Sequence, residues 1–212
     1  LGLRNASGRP ESAWMSTALA EMLTTELANG KGLRAVPGDA MSRVRSDLDL
    51  TETTAPNAAA LTQIRSRLGV EYLVAGAYTA LGEPGKGQLR VDLRLLDATT
   101  GEIRLDVSEE GPQADLIRLA GRAGEKLRRQ LGATAPASAG LWSPERWTPE
   151  ATRLYSEGLA RLRAFDVRGA RDSLEQAVAA DPKSPHVRAA LAEAWTALGY
   201  GEKGRAEATR AL

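Results

Sequence analysis

The 212-residue chain contains no cysteine and a single histidine, His186. The first absence excludes disulfides, thiolate metal sites and a cysteine nucleophile. The second leaves no histidine cluster for a metal ion and no Ser-His-Asp triad. Aromatic residues make up only 4% of the chain, so a core must be built from leucine, alanine and valine. No apolar run reaches the roughly 18 residues of a membrane span, and no signal peptide is visible. An excess of one charge is lacking as well. The 28 basic residues face 27 acidic ones, for a net charge of +1. No long-range attraction to nucleic acid or to an anionic membrane is expected from that balance. Freedom from thiols fits any compartment and suits an extracytoplasmic bacterial domain. The length allows one large domain or two small ones. Leu1 enters an apolar pattern partway, as expected of a piece of a longer protein with a signal, span or catalytic domain upstream.

What the chain does have is periodicity. Leu19, Met22, Leu23 and Leu27 recur at three and four residues and predict a helix over 13–29, with Ser12 as N-cap and Gly30 and Gly32 closing it. "GLRAV" before Pro37 reads as a short buried strand. "DAMSRVRSDL" reads as a helix with Asp39 at its cap, and "PNAAALTQIRSRLG" as another, stopped by Gly69. "VEYLVAGAYTAL" is apolar on both faces, as a central strand is. "QLRVDLRLLDA" and "EIRLDVSEE" alternate, which marks half-exposed antiparallel strands on either side of "DATTGEI". A long helix is expected over 112–131. The order β-α-β-α-α-β-β-β-α predicts an α/β sandwich with a mixed sheet for residues 1–131.

"GATAPASAG" is small, uncharged and Ala/Pro/Ser-rich, so 132–147 reads as a linker. From 148 to 212 the period is purely helical. Gly158, Ala170, Leu174, Ala177 and Pro182 occupy the small and apolar positions of a helix-turn-helix unit about 34 residues long. A shift of about that length starts a second unit with Leu191, Ala192, Trp195, Gly199 and Ala211, with Gly204 where alanine is usual. This region resembles tetratricopeptide (TPR) repeats, about two units. The resemblance implies an all-α array of helix hairpins whose first helices line a groove for a peptide or helix. By position those residues are Thr152, Tyr155, Leu159 and Arg163, then His186, Ala189 and Glu193.

The segments "LGLRNASGRPES", "LGVEYLVAGAY" and "QLRVDLRLLDATTGEI", with the helix closing at Leu131, stand in the order and spacing of another family. Residues 1–131 resemble the TolB-type N-terminal domain found in many bacterial signalling proteins. The resemblance implies a sensor or interaction role without catalysis, either C-terminal to a protein kinase or winged-helix domain, or in the periplasm. The chain departs from the family at Gly2-Leu3, where Pro-Phe is common.

Sharper chemistry is weighed against plainer structure at each motif. "RNASGRP" has one glycine and no lysine followed by serine or threonine, so a connection suits it better than a phosphate loop. "GEPGKG" with Lys86 sits between alternating strands and reads as a hairpin turn. Asp106, Glu109 and Glu110 read as a solvated strand end and not as a cation site. Arg118, Arg122, Lys126, Arg128 and Arg129, interleaved with Asp115 and Glu125, read as a solvated helix face and not as a nucleic-acid surface. Trp142 and Trp147 are expected to pack the repeats onto the first domain.

These readings converge on a non-catalytic sensor or interaction region of a larger bacterial signalling protein, C-terminal to a Ser/Thr kinase. It would bind a partner protein or peptide through the TPR face, with self-association as a further route, and would need no cofactor or metal. A periplasmic envelope-assembly adaptor is the alternative, and a nucleotide-dependent enzyme with a degenerate loop is third. An extracytoplasmic region of a membrane protein is favoured over a cytoplasmic one.

Overall fold

The computed structural model describes residues 3–50, 56–134, 142 and 147–212. The chain divides into two compact units, Leu1–Pro144 and Glu145–Leu212. Most of the expected linker, 135–141 and 143–146, lies outside the described residues, as do Leu1 and Gly2.

The first unit contains β1 (Arg4–Asn5), α1 (Trp14–Ala28), α2 (Gly38–Asp47), α3 (Ala58–Leu68), β2 (Tyr72–Leu81), β3 (Gln88–Asp97), β4 (Ile103–Pro112) and α4 (Leu116–Gln130). The sheet runs β1-β2-β3-β4. β1 lies parallel to β2, with Arg4 opposite Ala77, and the other pairs are antiparallel. The α/β class and mixed sheet expected from the sequence are therefore present. The alternation of β3 sends Leu89, Val91, Leu93 and Leu95 into the core with Leu19 and Met22 of α1 and Leu119 and Leu127 of α4. Each such leucine contributes about 1.5–3 kcal/mol on burial. α1 and α4 approach closely because residue 124 is glycine: a Cβ there would stand 2.7 Å from that of Glu26. A second cluster, Val44, Leu61, Ile64 and Leu73, joins α2 and α3 to the start of β2.

Several local expectations need correction. "GLRAV" forms no strand. Gly32 takes φ +87° and Pro37 follows, so the chain turns at both ends, and only Lys31 makes an isolated bridge, to Thr134. Ser12 does not cap α1; it ends a 3-10 turn, Pro10–Ser12, and the N-cap is Ala13. Pro37, not Asp39, precedes α2. The closing helix starts at Leu116, because β4 extends to Pro112 and a 3-10 turn intervenes. Gly69, in the left-handed region, does end α3, and Asn57 caps its start, its side chain accepting from the Ala60 N–H.

The second unit contains α5 (Pro149–Arg163), α6 (Val167–Ala180), α7 (Pro185–Ala197) and α8 (Gly201–Arg210). Thr148, Asp166 and Ser184 each accept a hydrogen bond from the N–H three residues on. Prolines open α5 and α7, where an N–H would be unpaired in any case. Leu154, Leu174, Ala177, Val187, Leu191 and Trp195 are buried between these helices. The unit is thus two successive helix hairpins.

Candidate functional site

The two glycine-containing loops weighed as phosphate loops are closed by the protein's own side chains. In the opening loop the Asn5 amide donates to the Arg9 carbonyl (2.9 Å), and the Ser7 N–H donates to Asn5 Oδ1 (2.9 Å). Ser7 Oγ accepts from the Ala80 N–H at 2.7 Å, which ties the loop to β2. In the hairpin between β2 and β3, Gln113 is buried and fills the turn. Its Oε1 accepts from the Gly85 N–H (2.8 Å), and its Nε2 donates to the Leu81 carbonyl (2.9 Å). A Cβ at Gly87 would collide with that same carbonyl. Donors that would wrap a phosphate in a nucleotide loop are here engaged with protein.

The charged groups singled out in the sequence are paired. Asp106 meets Arg94 at 3.2 Å and Glu110 meets Arg90 at 2.9 Å. Glu109 is not solvated. At 7% exposed it receives Arg122 at 2.7 Å and Lys126 at 2.8 Å and so fastens α4 to β4. Burial pushes its pKa up, but hydrogen bonds from Lys126 and Arg122 oppose this and hold it below the usual carboxylate value. The basic face of α4 is likewise not wholly solvated. Arg128 is 8% exposed; it pairs with Glu26 and donates to the Glu26 carbonyl at 2.7 Å. Arg118 pairs with Asp115, and Arg129 with Glu125. Among the described residues no group of acids or histidine could hold a metal ion, and no helix is long and apolar enough to cross a membrane.

In the second unit the expected groove residues fall in two rows. On α5, Thr152, Tyr155, Leu159 and Arg163 recur at three and four residues. On α7, His186, Ala189 and Glu193 do the same. Thr152 is 2% exposed, and its hydroxyl donates to the Thr148 carbonyl at 2.9 Å. Tyr155 is buried with its ring centroid 5.2 Å from that of Trp147. Leu159, Arg163 and His186 are half-buried, and Ala189 and Glu193 are exposed. The open part of the face therefore lies on α7. Burial pushes the His186 imidazole below its ordinary pKa, so it is neutral at pH 7. Trp142 packs against the core of the first unit, and Trp147 against Tyr155 in the second.

One residue was not singled out in the sequence. Phe165, in the turn between α5 and α6, is 85% exposed and has φ +59°. That region costs a non-glycine residue about 1–2 kcal/mol. The turn between α7 and α8 has the same hydrogen bonds. Phe165 and Gly199 donate to Leu162 and Thr196 at 3.0 Å, and Asp166 and Tyr200 donate to Arg161 and Trp195 at 2.9 Å. The second turn places Gly199 at the left-handed position, as helix C-termini prefer. Setting the two repeat units side by side would have exposed the substitution.

No protein-family model matches this sequence, and no curated protein matches it. Solved structures give distant likenesses. The LpoB C-terminal domain from Salmonella enterica is 19% identical, with a TM-score of 0.37, over 53% of this chain and 78% of that one. The PelC dodecamer from Paraburkholderia phytofirmans is 18% identical, with a TM-score of 0.38, over 63% of this chain and 84% of that one. A point variant of that PelC, also a dodecamer, is 18% identical with a TM-score of 0.35, over 63% of this chain and 85% of that one. At this overlap the likenesses say nothing of function.

Proposed function

We propose that this chain is a non-catalytic protein-interaction module of the bacterial envelope, and that its helix hairpins bind a partner protein or peptide. The observation that carries the reading is the pair of α5/α6 and α7/α8 hairpins. Their inner positions are filled by small and apolar residues, while Ala189 and Glu193 of α7 stay open to solvent. Resemblance to TPR repeats gives this face its expected occupant, an extended or helical peptide. The TolB-type resemblance favours a second reading, in which the same module is the sensor region of a signalling protein C-terminal to a kinase. Neither reading requires a cofactor.

The test is photo-crosslinking in the native host. A benzoylphenylalanine at Ala189 or Glu193 is expected to give a discrete protein adduct, with none at exposed Glu175 on α6. Equal labelling at all three positions, or none, would remove the α7 face as the binding surface. A phosphatase fusion to the native gene separates an extracytoplasmic location from a cytoplasmic one.

A further inference from the structure

A large apolar side chain held in solvent by a strained backbone needs a reason, because the fold gains nothing from it. Phe165 is such a side chain: 85% exposed, at φ +59°. The repeat itself supplies the control. The equivalent turn closes with the same hydrogen bonds around Gly199, which adopts the left-handed region without strain. A strained residue at a surface turn is a pointer to function, and aromatic side chains are the usual anchors of interfaces.

The surroundings of Phe165 restrict what it can meet. Arg161, Arg163 and Arg168 flank it in sequence, against one acid, Asp166. Asp166 is engaged as the cap of α6, accepting from the Gly169 N–H at 3.0 Å. Arg161 and Arg168 are exposed and make no ion pair among the described residues; Arg161 donates to the Gly169 carbonyl at 3.0 Å. The segment around this turn therefore carries an excess of basic residues in sequence, with an exposed aromatic ring at its centre. The corresponding turn carries Glu202 beside Lys203, and Lys203 lies over the Trp195 ring at 4.2 Å, so its ammonium is engaged by the protein's own aromatic rings.

We infer that Phe165 is an interface anchor that inserts into an apolar recess of an acidic protein segment, with Arg161 and Arg168 facing that segment's carboxylates. The inference rests on the proposed interaction role and adds a second contact point, at the hairpin tip. Charge complementarity selects the acidic partner.

The experiment places benzoylphenylalanine at position 165 in the full chain in its native host, in parallel with Ala189. The expected result is an adduct at 165 that maps by mass spectrometry to an acidic, apolar-rich protein segment and falls at least tenfold in the R168E background. Circular dichroism of F165G is expected to show a melting temperature equal to or above that of the parent, since the ring is 85% exposed and glycine adopts positive φ without strain. A lower melting temperature for F165G makes the ring structural and overturns the inference. So does an adduct to lipid, an adduct to a neutral or basic segment, or an adduct indifferent to R168E. An adduct at Ala189 without one at 165 overturns the anchor alone. Silence at both positions overturns the interaction reading with it.

Discussion

Gly158 of α5 lies directly against Leu174 of α6: a Cβ at 158 would stand 2.6 Å from Leu174 Cγ and 2.7 Å from its Cδ2. Glycine is needed there by proximity and not by backbone torsion. The substitution G158A is expected to push the helices apart and cost about 1–3 kcal/mol, read as a lower urea midpoint. In a double-mutant cycle with L174A the two losses should be less than additive, because the smaller side chain at 174 relieves the clash. G204A in the second hairpin meets Thr196 Oγ1 at 2.3 Å and the Ala192 carbonyl at 3.0 Å, and T196A should rescue it only partly, because the backbone contact remains.

The Glu26–Arg128 pair joins α1 to α4 where both side chains are mostly shielded from water. Removing the arginine leaves a carboxylate and the Glu26 carbonyl without their donor. R128A is expected to cost roughly 3–5 kcal/mol in equilibrium denaturation. The double variant E26Q/R128M should be markedly more stable than R128A, because it leaves no buried charge.

Asp97 closes the turn between β3 and β4. Its hydrogen bond from Arg104, with those from the Thr99 and Thr100 backbone, holds its pKa down at about 2 from an ordinary 3.8. The folded form thus binds its proton more weakly than the unfolded chain. The stabilisation is complete above the unfolded pKa and is lost as pH falls through the folded one, between about 4 and 2. Carbon-detected NMR titration should show the low midpoint in the parent and a rise toward the ordinary value in R104A.

His186 has the same sign in a higher pH window. Burial disfavours its cation, so the folded form binds a proton less readily than the unfolded one. Its neutral form supports the fold fully above about pH 6.5, and stability falls below it as the unfolded chain takes up the proton. H186Q should flatten the thermal stability profile of the second unit between about pH 7 and 5.

Gln113 holds the β2–β3 turn through Gly85 and Leu81. Q113A is expected to cost about 1–3 kcal/mol by leaving those groups without partners. Hydrogen exchange at the Gly85 amide should accelerate more than exchange at the central strand amides.

Much of this was legible because it is local. The two-residue alternation of β3, the Gly69 stop of α3 and the small residue at 158 each act within a few residues or one helix contact. "GLRAV" failed because an apolar run becomes a strand only when a ladder partner is available, and only Lys31 beside it is bridged, to Thr134. Glu109 follows Leu105 and Val107 in the inward phase of β4, a signal that its charge concealed. Arg128 is buried by Glu26, 102 residues away, a distance no local pattern reports. In the proposed groove, Thr152 and Tyr155 carry the right spacing, but spacing alone does not say whether a helix face is open or closed.

The order of strands in the sheet has a kinetic consequence. β2, β3 and β4 form a meander of short hairpins followed directly by α4, so their contacts close small loops. β1 pairs with β2 only after the chain has returned across many residues, as the Ser7–Ala80 bond, 73 residues apart, records. Loop closure at that separation is slower than hairpin formation. Folding of the first unit is therefore expected to begin in the meander and to end with the arrival of the first strand. Substitutions at Val91 or Leu93 should slow folding, whereas S7A should chiefly speed unfolding.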